Sequence, residues 1–277
     1  SSVVAGGRSR PVVASAHRPM DHRARPGAVS RSLSVYGAGK PWIAYSWLYE
    51  ILVYGLFRAF GLVGIVWFTA IMSLLIALTL HCLVRRTKLP FLIELILLAL
   101  ALSAMKPIYS PRSWLFSILF FAIVLNVAFR VRSGSRPVLL AVLPPIFVLW
   151  ANLHIQFSYG LAVLGLFTVE SLGVRIRPSD RVGGNSDTIP LGPMIATMIF
   201  CLLATLLNPY HYRLMLVIAE LAAQTGAFQN VQELQPLFFR SPADWFILAL
   251  ALGTAYSLGW QKGIRLLPLG MLLMAVL

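Results

Sequence analysis

The chain has 277 residues, of which 58% are apolar and only 12% are charged, and its mean hydropathy is +0.80. A soluble domain carries about 25% charged residues, so this composition excludes an ordinary water-soluble fold. The net charge is +14, but the sequence shows no basic face interleaved with aromatic residues, and we predict no binding to nucleic acid. Two isolated cysteines, Cys82 and Cys201, support neither a disulfide framework nor a zinc site.

Residues 1–40 differ in composition from the rest of the chain. They are rich in Arg, Ser, Gly and Pro, and Asp21 is their one acidic residue. We expect a disordered basic segment that need not be the natural start of the protein. Residues 41–277 are predicted to form a transmembrane core, which we expect to be truncated at the C-terminus because the apolar run Leu266–Leu277 has no closing polar flank.

A new pattern begins at Trp42. Ser46, Glu50, Tyr54 and Arg58 recur every four residues, and apolar side chains fill the other side. This spacing predicts an amphipathic helix that lies at a membrane interface.

Long apolar runs follow, and the run Leu62–Leu80 contains no charge. A stretch of about 18 or more apolar residues is typical of a transmembrane helix. The predicted spans are approximately 61–83, 90–105, 113–130, 137–153, 156–173, 193–208, 243–259 and 264–277. Pro144 and Pro145 should kink the fourth span. The predicted fold is all-α, a polytopic membrane protein of about eight transmembrane helices plus the interfacial helix.

The loop charges predict an orientation. Alternate loops on one side hold eleven basic residues, and those on the other side hold five. The positive-inside rule places the richer set in the cytoplasm. That set is Arg85, Arg86, Lys88, Arg130, Arg132, Arg136, Arg175, Arg177, Arg181, Lys262 and Arg265. We interpret these cytoplasmic loops as plain topology signals, and expect a multi-pass protein of the bacterial inner membrane whose site faces the periplasm.

Polar and aromatic residues mix in the segments that this orientation places outside. An interfacial belt of aromatic residues accounts for many of them, but less well for polar side chains just after the proline pair. We predict that five side chains line one outward cavity, because charge near a membrane is costly unless it is solvated, paired or used. They are Lys106, Arg112, Asn152, His154 and Arg213. A helix-end histidine with a satisfied partner, and an arginine extended to the interface, are the structural alternatives.

Five segments carry a family resemblance. In chain order they are GKPWIAYSWLYEILVYGL, SPRSWLFSILFFAIVLNVAFR, LPPIFVLWANLHIQFSYGLAVL, LLNPYHYRLML and VQELQPLFFRSP. This order, over about residues 39–260, resembles a bacterial group of GT-C-type membrane glycosyltransferases similar to protein mannosyltransferases and lipid A sugar transferases. Most members of that group are uncharacterised.

The resemblance implies transfer of a sugar from a polyprenyl-phosphate carrier to an acceptor on the periplasmic side, with the bilayer and the lipid-linked donor as partners. The five predicted site residues would hold the donor phosphate. The family's acidic first outer loop has no counterpart in residues 1–40, so the catalytic base is unassigned, with Glu50 and Glu233 as weak candidates. No cofactor is predicted, and a divalent metal stays open. Alternatives are a transporter or flippase of a lipid-linked substrate, and a noncatalytic membrane scaffold.

Overall fold

The computed structural model describes residues 29–30, 41–176, 189–223, 242–260 and 270–271. The chain divides into two compact units, Ser1–Ile43 and Ala44–Leu277. In the first unit, β1 (Val29–Ser30) pairs antiparallel with β2 (Pro41–Trp42). The rest of residues 1–40 lies outside the described residues, and the disorder that we expect there stays a prediction.

The second unit is helical over its described ranges, which confirms the all-α class. Three short 3₁₀ helices, Arg85–Thr87, Lys106–Ile108 and Pro137–Val142, lie between its α-helices. The α-helices are α1 (Trp47–Val84), α2 (Phe91–Ala104), α3 (Trp114–Arg132), α4 (Leu143–Leu153), α5 (Phe157–Ile176), α6 (Leu191–Ala204), α7 (Arg213–Ala223) and α8 (Pro242–Trp260). The predicted span 264–277 lies almost wholly outside the described residues.

Helix α1 joins two elements that the sequence predicts as separate. The predicted interfacial helix and the first predicted span form one run of 38 residues. Gly61 interrupts this run with φ 61° and ψ −150°, a backbone conformation that is essentially restricted to glycine. The expected boundary is therefore present, as a break within one helix.

The proline pair starts a helix instead of kinking one. Pro144 and Pro145 lie in the first turn of α4, directly after the 3₁₀ helix Pro137–Val142. Proline is tolerated there because the first N–H groups of a helix have no intrahelical partner in any case. The expected kink within a continuous helix was wrong for this reason.

Helix α7 was not predicted. The sequence analysis left the residues after NPYHYR as an outer loop, yet Arg213–Ala223 is helical. Its apolar residues are concentrated on one side, as in RLMLVIAELAA, and the run is too short to be recognised as a span.

The core lies where α3 and α4 meet their neighbours. Helix α3 packs against α1 and α5, α4 and α5 both pack against α6, and α2 packs against α8. Trp150, Phe147, Phe157 and Phe167 are the largest fully buried side chains. A second cluster, which includes Phe68, Ile76 and Leu115, fills the contact of α1 with α3.

Two of the helices in the described part of the chain are long and apolar enough to cross a membrane. They are Trp47–Thr87, counted with its 3₁₀ extension, and Trp114–Arg132. Five further apolar helices are shorter, with 10–17 residues each. The structure is thus helical with two candidate spans, and the predicted number of about eight is not confirmed.

Candidate functional site

Four segments that the sequence predicts on one membrane face are joined by hydrogen bonds. The Trp47 indole N–H donates to Oδ1 of Asn152 at 3.0 Å, and the Asn152 amide donates to the Leu207 carbonyl at 2.9 Å. The Ala44 N–H donates to the Tyr210 hydroxyl at 3.1 Å. The Tyr49 hydroxyl donates to the carbonyl of Pro111. We call residues 44–49, 108–117, 150–156 and 205–213 together the helix-end cluster.

Asn152 is the centre of this cluster. Its side chain is buried, and its amide also donates to the Val148 carbonyl at 2.8 Å. Both amide hydrogens and one lone pair of Oδ1 are therefore used inside the protein. Asn152 therefore bonds α4 to α1 and to the segment after α6. Its role is to position these elements.

His154 also takes part in a hydrogen-bond network inside the protein. The Trp150 indole N–H donates to Ser117 Oγ at 2.8 Å, and Ser117 Oγ lies 2.8 Å from Nδ1 of His154. Because Ser117 Oγ already accepts a hydrogen bond from Trp150, the consistent arrangement has the Ser117 hydroxyl donate to Nδ1, with the imidazole proton on Nε2. Burial lowers the pKa of His154 below its ordinary value of 6.5, which keeps this chain of bonds neutral.

A cavity of about 410 Å³ lies beside this chain of bonds. Its walls are mainly apolar, with Phe121, Trp150 and Val163 among them, and Ser117 and Gln156 bring polar groups. Such a cavity suits an apolar ligand that carries one or two polar atoms.

Gly160 allows α5 to pack closely against α4 beside this cavity. A Cβ atom at Gly160 would lie 2.5 Å from a ring carbon of Trp150 and 2.8 Å from one of Phe147. Glycine is therefore required where α5 approaches α4.

The three cationic candidates are exposed and lie at helix ends. Lys106 opens a 3₁₀ helix, and Arg213 opens α7. The Arg112 guanidinium lies 4.7 Å from the ring centre of Trp114.

The predicted five-residue cavity stays a prediction. Its segments converge, but the Asn152 amide and Nδ1 of His154 are already bonded inside the protein. None of the five is among the described residues that line the 410 Å³ cavity. Of the weak candidates for a base, Glu50 is exposed in the first turn of α1, and Glu233 lies outside the described residues. The described ranges contain no group of three or more His, Cys, Asp or Glu side chains that could hold a metal.

Sequence reasoning missed Ser117, Trp150 and Tyr210. A signal for Ser117 exists, since it is the one polar residue in the apolar run WLFSILFF at the start of α3. Trp150 and Tyr210 had been grouped with the interfacial aromatic residues, and sequence spacing does not reveal their bonds to residues 33 and 166 positions away.

Comparison with known proteins adds no assignment, because the chain matches no protein-family model, no curated protein and no solved structure.

Proposed function

We propose that this chain is the membrane-embedded core of a GT-C-type transferase and that it binds a polyprenyl-phosphate-linked sugar at the helix-end cluster. The observation that carries the proposal is the position of Ser117. This residue belongs both to the bonded chain of Trp150 and His154 and to the wall of the apolar cavity. An apolar cavity with a polar corner suits a ligand that is part isoprenoid and part polar headgroup.

The membrane setting is supported by the exposed surface of α1. Phe60, Leu62, Val66 and Trp67 are each more than 60% exposed, although the helix carries no charge between Leu62 and Leu80. Exposed apolar surface of this extent marks an interaction with lipid or with another protein. The core helix of a soluble protein would bury these side chains.

In the proposed glycosyl transfer, the polar residues would have different roles. In a glycosyl transfer, a base removes the proton of the acceptor hydroxyl as the oxygen attacks the anomeric carbon, and the carrier phosphate leaves with its negative charge. Lys106, Arg112 and Arg213 would stabilise that charge. Asn152 and His154 would hold the surrounding helices in place.

The location of the buried polar residues favours this function over transport. Asn152, His154, Thr205 and Asn208 lie at the ends of helices or just beyond them. Ser171 and Thr197 are buried within helices, but their hydroxyls donate to backbone carbonyls of the same helix. Transporters place polar or ionisable groups near the middle of the bilayer. A site at the helix ends fits an enzyme that works at the membrane surface.

Orientation is tested by cysteine labelling in intact cells, with Cys82 and Cys201 first replaced by Ala. We expect cysteines at Ser110 and Gln156 to react from outside, and those at Arg86 and Ser133 to react only after the membrane is opened. The reverse pattern would overturn the periplasmic site.

Donor binding is tested on the purified chain in lipid nanodiscs with a polyprenyl-phosphate hexose. Arg112→Gln should weaken binding about tenfold, because a charge-assisted bond to phosphate is lost. Arg58→Gln is the matched control, an exposed arginine on the same predicted face but outside the helix-end cluster, and should change binding less than twofold. Equal binding by both variants would contradict the proposal, and movement of the intact donor across the bilayer would favour a transporter.

A further inference from the structure

A second cavity, of about 390 Å³, lies at the other ends of α1 and α3. It is lined by Cys82, Arg85, Arg86, Arg130, Ser133 and Ser135, which we call the basic pocket. The resemblance and the proposed transferase make no use of these residues.

The arginines of the basic pocket are not neutralised within the described part of the chain. No described carboxylate lies within ion-pair distance of Arg85, Arg86 or Arg130. The ends of α1 and α3 each contribute about half a negative charge through the helix dipole. Against three arginines, this leaves about two positive charges.

Asn126 holds Arg86 in place. Oδ1 of Asn126 accepts a hydrogen bond from Nε of Arg86 at 3.2 Å, and its amide donates to the carbonyls of Thr79 and Ala122 at 2.9 and 3.0 Å. Within the described ranges, the terminal nitrogens of the Arg86 guanidinium form no hydrogen bond. A planar pair of donors fixed in this way suits the oxygens of a phosphate.

The loop after α3 contributes the Ser133 and Ser135 hydroxyl groups to the basic pocket. Gly134 has φ 96°, its N–H donates to the Val131 carbonyl at 3.1 Å, and the Ser135 N–H donates to the Arg130 carbonyl at 3.0 Å. This is the Schellman pattern of helix termination, which favours glycine at this position. It places Ser133 and Ser135 on either side of the turn, at the wall of the basic pocket.

An apolar stripe leads along α1 to the basic pocket. Its side chains are all exposed and recur with the spacing of one helix face. They are Ile71, Leu74, Leu75 and Leu78, followed by Cys82 and Arg85. The stripe from Ile71 to Leu78 is about 10 Å long at 1.5 Å per residue, which fits within one leaflet of a bilayer whose hydrocarbon core is about 30 Å thick.

We propose that the basic pocket binds the phosphate of an anionic phospholipid, whose acyl chain lies along the stripe from Ile71 to Leu78. The proposal rests on the membrane setting of the proposed function, but not on the transferase activity or on the donor site. Basic pockets between transmembrane helices bind anionic headgroups by the same chemistry.

Native mass spectrometry of the purified chain in detergent tests the proposal, with phosphatidylglycerol or phosphatidylcholine added. We expect phosphatidylglycerol to bind more tightly, and Arg85→Gln with Arg130→Gln to weaken its binding on the order of thirtyfold, since each basic residue contributes about fivefold. The matched control is Lys88→Gln with Arg136→Gln, which removes the same charge from the same predicted face outside the pocket. It should weaken binding less than twofold, and an equal loss in both variants would mean general surface charge and overturn the pocket.

Two further measurements separate a lipid from free phosphate. Leu75→Gln with Leu78→Gln should weaken phosphatidylglycerol binding severalfold, because the acyl chain loses its apolar contact. Inorganic phosphate alone should bind weakly at best. Submillimolar binding of inorganic phosphate, with no preference between the two lipids, would overturn the assignment to a lipid. Thermal unfolding of each variant without added lipid confirms that it is folded. Asn126→Ala is an independent variant, because it removes the hydrogen bond that holds the Arg86 side chain.

Discussion

The helix-end cluster joins the starts of α1 and α3 to the end of α4 through neutral side chains that are largely buried, with the exposed Arg112 beside them. The far ends of α1 and α3 carry arginines that are charged and mostly exposed. The helix-end cluster satisfies Asn152, Ser117 and Trp150 with internal hydrogen bonds. The basic pocket leaves Arg85 and Arg130 without a carboxylate partner among the described residues. Helix α3 spans about 28 Å between them at 1.5 Å per residue.

Because of this difference, we expect one site to contribute mainly to stability and the other mainly to ligand binding. A buried neutral network loses free energy when any member is removed, because its partners stay buried without a bond. Exposed arginines contribute little to the stability of the protein, and their charge remains available to an anionic ligand. We therefore expect substitutions of the buried neutral residues of the helix-end cluster to lower the free energy of unfolding. Substitutions in the basic pocket should change lipid binding at nearly constant stability.

The largest effect is expected for Asn152→Ala. This change removes three hydrogen bonds and leaves the Trp47 indole N–H and the Leu207 carbonyl without that partner. The free energy of unfolding should fall by about 3 kcal/mol, as measured by denaturant titration in detergent micelles. Trp47→Phe removes one of these bonds and should cost about 1 kcal/mol. A loss below about 0.5 kcal/mol for Asn152→Ala would show that the cluster does not stabilise the fold.

Gly160→Ala tests the packing that supports the cluster. The new methyl group would meet the rings of Trp150 and Phe147 at 2.5 and 2.8 Å, and moving buried rings costs about 1–3 kcal/mol. Gly165→Ala on the same helix is the control, because a Cβ there has no neighbour within 4 Å. It should leave stability unchanged or raise it by up to about 1 kcal/mol through helix propensity. If both variants unfold alike, the contact of α4 with α5 is looser than the structure shows.

The pH dependence of stability tests whether His154 is buried and neutral. Its pKa in the folded protein is lowered from 6.5 by burial, so the unfolded chain takes up the proton first as the pH falls. The stabilisation is fully present above pH 6.5 and declines below it, by up to about 1.4 kcal/mol per pH unit. His154→Gln should flatten this slope in unfolding measurements made from about pH 7.5 to pH 5. If the slope is unchanged in this variant, titratable groups other than His154 cause the pH dependence.

The sequence predicts the helices better than their contacts. Apolar runs located α2, α3, α5 and α6 within a few residues, because apolar periodicity is a local signal. The position of Pro144 and Pro145 was misjudged because a proline pair can either kink a helix or begin one, and only the flanking structure decides. Helix α7 was missed because its run is too short for a span.

The candidate site was predictable only as a set of segments. Alternating loop charges and aromatic content grouped residues 39–50, 105–114, 150–157, 208–213 and 232–245 on one face. Hydrogen bonds join the first four of these segments, and most of the fifth lies outside the described residues. The bonding of Asn152 to Trp47, 105 positions apart, depends on how α1 and α4 pack, which no local pattern contains. The same limit applies to the basic pocket, whose two loops were interpreted as separate topology signals although Asn126 bonds to Arg86 and to α1.

The smallest effect is expected at the turn that shapes the basic pocket. Gly134 has φ 96°, and an L-residue in the left-handed region costs roughly 1 kcal/mol, so Gly134→Ala should lower the free energy of unfolding by about that amount. Gly134→Asn should cost less, because asparagine tolerates the left-handed region better than alanine. Both are measured by the same denaturant titration, together with phosphatidylglycerol binding by native mass spectrometry. If the turn only ends α3, Gly134→Ala will reduce stability and leave lipid binding intact. If it also positions Ser133 and Ser135 against a phosphate, as we propose, lipid binding will fall in Gly134→Ala and be largely retained in Gly134→Asn.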